Sequence, residues 1–264
     1  MNSSVHVLFV AWQDPESRRI FPVARLSRRV SGLYEFAYLG AVREAQASGF
    51  VALPGFEDLE RVYSTPTLPE LFERRKNPHF RRSPAPAVRG PEGARGPAAE
   101  VLDATPISVF VRRPERATAE RLEVFAPPLL DPGSGQYWGV FEARGVGRVQ
   151  GAPEILQALQ PGEPLLVRAE PDNAYNPAAL VLERADRTPL GYVPDYLANE
   201  LAAAHAAPSE LHAELLDAER VTFPPAPAVY RVRCRYRCGA ELGRRLFASD
   251  RYDLIARPAR PLVH

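Results

Sequence analysis

A chain of 264 residues, 45% hydrophobic and 25% charged, is long enough to bury one large core or two small ones. Its formal net charge of +1 excludes a global attraction to nucleic acid, so any such affinity must come from a local basic patch. Two cysteines are too few for a disulfide framework, and no run of about 18 apolar residues offers a membrane-spanning helix.

Val5 to Trp12 is an apolar run of strand length, and Asp14-Pro15-Glu16-Ser17 is a turn after which Ile20 to Leu26 pairs back. Tyr34, Phe36 and Tyr38 alternate and so share one face of a third strand. Ala41 to Ala47 suits a short helix ended by Gly49, and the Thr67/Glu70 capping-box spacing opens another over Leu68 to Arg75. Residues 81–99 are dominated by Pro, Gly, Ala and Arg and are expected to be a flexible loop. Structure is expected to resume near Val101, and Leu122 to Phe125 is expected as a strand stopped by Pro127-Pro128.

A second region begins near Gln136. Strands are predicted over Gln136 to Ala143, Pro164 to Ala169, Ala178 to Leu182 and Pro189 to Val193, with a short helix over Pro153 to Leu159. Asp195 is expected to cap a helix carrying Leu197 and Leu201. Leu211 to Val221 fits a helix or a strand. The expected organisation is α+β: a small α+β domain over 1–126, then a mostly antiparallel, barrel-like domain over 127–264.

Tyr230 to Cys238 has the sharpest pattern. Arg231, Arg233, Arg235 and Arg237 alternate with Tyr230, Val232, Cys234, Tyr236 and Cys238, giving a strand with one apolar and one guanidinium face. Neighbouring arginines on that face stand ~6.6 Å apart and repel one another. A row of phosphates would relieve this, and guanidinium grips phosphate through two parallel bonds. The alternative is an edge strand whose charges prevent aggregation. Cys234 and Cys238 lie ~13 Å apart in such a strand, too far for a mutual disulfide, and are expected in the core.

Glu170-Pro-Asp-Asn-Ala-Tyr-Asn-Pro177 sits between two strands and is rich in turn formers. With Ala178-Ala179-Leu180-Val181 and Leu190-Gly191-Tyr192-Val193-Pro194 after it, the stretch from Gln136 to Val221 resembles the HIRAN domain. That resemblance implies a compact barrel related to OB-like and SH3-like folds, and it favours a strand over Leu211 to Val221. It also implies a pocket for single-stranded DNA, especially its 3′ end, lined by Asn173, Tyr175, Asn176 and Tyr192. Asn176 stands where the family usually has an aspartate, and Asp195 where an animal member has a basic residue. The family's first connection reads Gly-(Leu/Ile)-Arg, whereas here Gly145-Val146-Gly147-Arg148 places the arginine one residue late. Phosphate contacts are then assigned to Arg144, Arg148 and Arg168. Residues 5 to 126 resemble, loosely, the N-terminal subdomain of the HipA kinase toxin, in Tyr34-Glu-Phe-Ala-Tyr38, Leu68-Pro-Glu-Leu-Phe72 and Arg121 to Pro127.

Lys76 is the only lysine among 33 basic residues, a bias typical of a GC-rich bacterial genome. It follows Arg-Arg in a glycine-free stretch, so no phosphate-binding P-loop exists. His6, His79, His205, His212 and His264 form no H-E-x-x-H, and no G-x-S-x-G elbow is present. The expectation is a cytoplasmic DNA-binding protein, not an enzyme, without cofactor or membrane segment, serving repair, fork processing or defence. One alternative is a protein–protein adaptor that uses its N-terminal domain. Another is a metal-dependent nuclease built on carboxylates such as Glu170 and Asp172.

Overall fold

The computed structural model describes residues 6–73, 122–221 and 229–256. The expected loop at 81–99 and the resumption near Val101 lie outside these residues. Two compact units emerge, and their strand pairings are all antiparallel. Among the described residues no helix is long and apolar enough to cross a membrane.

The first unit is a five-stranded sheet with order β4-β3-β2-β1-β5. Its strands are β1 (His6–Gln13), β2 (Ile20–Arg28), β3 (Tyr34–Tyr38), β4 (Tyr63–Thr65) and β5 (Leu122–Phe125). Asp14 makes the β1–β2 turn, its carboxylate accepting from the backbone N–H of Glu16 and Ser17. Helix α1 is Val42–Ala47 and α2 is Glu70–Glu73; α2 starts two residues later than the capping-box spacing implies. The alternation in β3 puts Phe36 and Tyr38 in a core with Trp12, Phe21, Phe50, Phe56 and Phe72. Each such ring removed from water contributes about 1.5–3 kcal/mol. Tyr38 satisfies its buried hydroxyl twice, donating to the Phe56 carbonyl at 2.9 Å and accepting from the Leu53 N–H at 2.8 Å.

The expectation that 127–264 forms one domain is corrected. The second unit ends at Ser249, and the chain then returns to the first. Leu254 bridges to Leu39, Ile255 N–H donates to the Tyr38 carbonyl at 3.1 Å, and the Tyr252 ring lies 4.9 Å from Phe9. This return has no periodic signature, because it adds isolated bonds rather than a strand.

The second unit has sheet order β10-β9-β8-β11-β12-β7-β6. Its strands are β6 (Leu129–Leu130), β7 (Tyr137–Glu142), β8 (Pro164–Ala169), β9 (Leu180–Glu183), β10 (Pro189–Tyr192), β11 (His212–Val221) and β12 (Val229–Cys238). Its helices are α3 (Ala152–Ala158), α4 (Asp195–Ala203) and α5 (Ala240–Arg245). Leu211 to Val221 thus resolves as a strand: Leu211, Ala213 and Leu215 are buried while His212 faces solvent.

The sheet curls so that β10, at one end, meets the chain just past β7, next to the other end. Arg144, just past β7, pairs with Tyr192 of β10, N–H to carbonyl in both directions at 2.8 Å. Gly191 makes that approach possible: its φ is +141°, and a Cβ there would lie 2.4 Å from the Arg144 carbonyl oxygen. Cys234 and Cys238 are free and buried, as the strand geometry predicts. Burial pushes the Cys238 thiol up to about 11, so it is an unreactive core group.

Candidate nucleic-acid interface

The β8–β9 loop is held by its own side chains. Asn173 Oδ1 accepts from the backbone N–H of Tyr175 at 3.0 Å and of Asn176 at 3.1 Å, a turn that an asparagine builds without help from distant residues. Its Nδ2 donates to Glu170 Oε2 at 2.7 Å. Asn176 Oδ1 accepts from the Ala178 N–H at 2.9 Å, and its Nδ2 donates to Asp195 Oδ1 at 2.8 Å. With the loop so fixed, Tyr175 projects into solvent with 68% of its surface exposed. An exposed aromatic on a loop held by its own side chains offers a face on which a flat group can stack.

Tyr192 adjoins the loop. Its phenol bonds to Glu170, and burial followed by that bond raises its pKa. The ring also lies against Gly145, where a Cβ would come within 3.4 Å of it. Asn173, Asn176 and Tyr192 are therefore brought together, joined through Glu170 and Asp195. Sequence reasoning assigned neither of those carboxylates to this cluster. The Glu170/Asn173 spacing is a local turn signal; the Asn176–Asp195 bond spans a strand, a turn and another strand and leaves no local trace.

Asp195 was expected to cap α4. It lies instead inside the first turn, no side chain caps the helix, and its carboxylate is engaged by Asn176. Pro194 occupies the cap position.

The arginines divide into two sets. Arg144 is placed beside Tyr192 by the backbone pairing, and Arg148 is exposed at the end of the 3-10 turn Val146–Arg148. Arg168 is half-exposed and donates Nε to Glu183 at 2.8 Å, which raises its pKa; Glu170 and Tyr192 also act on its charge. These three border the loop and Tyr192 or the turn against them.

Arg231, Arg233, Arg235 and Arg237 do not stand as an uncompensated row of charges. In the β11–β12 register, Glu219 faces Arg231, Asp217 faces Arg233 and Glu214 faces Arg235. Arg233 forms a two-pronged pair with Asp217, its Nε at 2.8 Å from Oδ1 and its Nη2 on Oδ2. Arg235 bonds Glu214 at 2.8 Å, and Arg237 approaches the same carboxylate at 3.7 Å. Arg231 is buried between Glu219 at 3.6 Å and Glu142 at 4.0 Å. The mutual repulsion read from the sequence is thus already relieved by carboxylates, and no row of phosphates is needed.

A bulge between Leu215 and Asp217 creates this match. Without the extra residue, Leu216 and Ala218 would face the arginines in place of Asp217 and Glu219. The sequence of β12 alone showed only one half of the ladder.

Residues 138–242, from β7 to α5, match the family model of the HIRAN domain; the match spans less than half of the chain. Two solved structures are similar. The HIRAN domain of human HLTF is 14% identical and aligns over 44% of this chain and 85% of its own, with a TM-score of 0.29. A protein from Lactobacillus plantarum is 16% identical over 39% of this chain and 98% of its own, with a TM-score of 0.27. Neither superposition is close enough to place a residue, so the roles of side chains follow from this chain's own geometry. No curated protein matches the chain.

Proposed function

With residues 138–242 a HIRAN domain, we propose that the chain binds single-stranded DNA or DNA ends on the surface formed by the β8–β9 loop, Tyr192 and the N-terminus of α4. At family level this domain implies nucleic-acid binding. The observation that carries the reading is Tyr175, which the turn built by Asn173 leaves largely exposed to solvent. A base stacked on such a ring contributes ~1–3 kcal/mol whatever its identity. Arg144, Arg148 and Arg168 supply cations for the backbone of the same strand. The proposed role is binding rather than catalysis.

Fluorescence anisotropy with short labelled single strands at low salt tests this. The unmodified chain binds, and Tyr175→Ala weakens binding about 5- to 100-fold, because the stacked base loses its ring. Absence of binding to any oligonucleotide at low salt overturns the reading.

A further inference from the structure

We infer that the first unit holds a binding site for a small organic monocarboxylate, built on Arg25 and Ser27 of β2 and on the returning C-terminal segment; it is independent of the nucleic-acid reading. Arg25 and Ser27 alternate with Ala24 and Leu26, which belong to the aromatic core, so the two lie on the other face of the sheet. The register sets Ala37 opposite Arg25 and Glu35 opposite Ser27 on that face. A cavity of about 490 Å³ opens there, a size suited to a small molecule. Asp253, Leu254 and Ala256 line it together with Val62, just before β4.

Arg25 is half-buried, and no acceptor among the described residues takes a hydrogen bond from its guanidinium. A fork of N–H groups withdrawn from water without acceptors costs free energy. Burial accordingly lowers the pKa of Arg25; Glu35 counters this, and the like charge of Arg29 adds to it. Glu35 does not satisfy the fork, because Arg29 Nε holds its carboxylate at 2.7 Å. Ser27 is buried, and its hydroxyl is bonded to none of the described residues. Donors from both residues therefore border the cavity without an acceptor of their own.

The charges around the cavity select the ligand. With Arg29 and Glu35 paired, Arg25 offers one positive charge, and Asp253 on the lining opposes a second negative charge on the ligand. A phosphate monoester, at about −1.5 to −2, is disfavoured for that reason. A carboxylate carries a single charge and takes two parallel bonds from a guanidinium, with the hydroxyl as a third donor. Ala37, Val62, Leu254 and Ala256 offer apolar surface to its hydrocarbon part.

Isothermal titration calorimetry of the full-length chain at low ionic strength compares benzoate, its neutral counterpart benzamide, and the dianion phenyl phosphate. Benzoate binds, and the other two bind about tenfold more weakly or less. Arg25→Gln lowers benzoate affinity about 10- to 100-fold, whereas Arg244→Ala, exposed on α5, leaves it unchanged. Val62→Glu, at an exposed position of the lining, adds a repelling charge and weakens benzoate several-fold, so the site is tested even if Arg25→Gln does not fold. No binding of benzoate at millimolar concentration overturns the inference. Equal affinity for benzamide, or tighter binding of phenyl phosphate, overturns the choice of a monocarboxylate. Benzoate affinity unchanged in a folded Arg25→Gln or in Val62→Glu overturns the location of the site.

Discussion

Tyr38 shows how much one hydroxyl can hold. It is fully buried, and its oxygen is the partner of both the Leu53 N–H and the Phe56 carbonyl. Tyr38→Phe keeps the ring and strands both backbone groups, so a loss of about 1–3 kcal/mol in urea unfolding of the first unit is expected. Burial also raises the phenol's pKa to about 12 from 10.0. The neutral form is favoured in the fold, so this contribution is complete below pH 10 and is lost as pH rises toward 12. Denaturant midpoints at pH 8 and pH 11 should differ less in Tyr38→Phe than in the unmodified chain. At this scale the sequence was legible where a residue acts on its neighbours. Asn173 and Asn176 were legible as turn formers because asparagine turns are local. Asp195 was misread as a cap because its partner lies 19 residues away.

Strand β12 was legible in its geometry and illegible in its role. Period-two alternation fixed the strand, the buried cysteines and the common face of the four arginines. Which charges meet them depends on β11 and on a one-residue bulge, and pairing register is not written in either strand alone. The arginine ladder is therefore already paired with carboxylates across the sheet, and a contribution to stability is the expected outcome. Arg233→Ala with Arg235→Ala leaves Asp217 and Glu214 facing an empty, partly buried strand and should cost about 1–3 kcal/mol in the second unit. The same variant should leave the salt dependence of oligonucleotide affinity unchanged. An altered salt slope with unaltered stability would return these arginines to the binding surface. Gly191 is a second structural point in this curled sheet. Gly191→Ala forces a Cβ against the Arg144 carbonyl at a positive φ, and soluble folded protein should fall sharply.

The whole molecule carries a formal charge of +1, so its attraction to a strand is local and limited. If Arg144, Arg148 and Arg168 are its backbone contacts, affinity should fall with salt at a log–log slope of about −2, from ~0.7 per neutralised phosphate on a single strand. Arg148→Ala should reduce that slope by about 0.7, whereas Arg244→Ala, exposed on α5, should not. The boundary after Ala126 was readable from Pro127-Pro128, but the return of the chain at Asp250 was not. It consists of a bridge to Leu39, a bond from Ile255 to Tyr38 and an aromatic contact with Phe9. Each is formed with a residue more than 200 positions earlier, and none imposes a pattern on 250–256. This connectivity makes the first unit discontinuous and the second continuous, from Pro127 to Ser249. A chain truncated after Ser249 should lose stability in the first unit alone. Two calorimetric transitions are then expected, with the lower moved down and the other in place, and with oligonucleotide affinity retained because every proposed contact lies between Arg144 and Asp195. Loss of affinity on this truncation would mean that the first unit or the C-terminal segment takes part in binding.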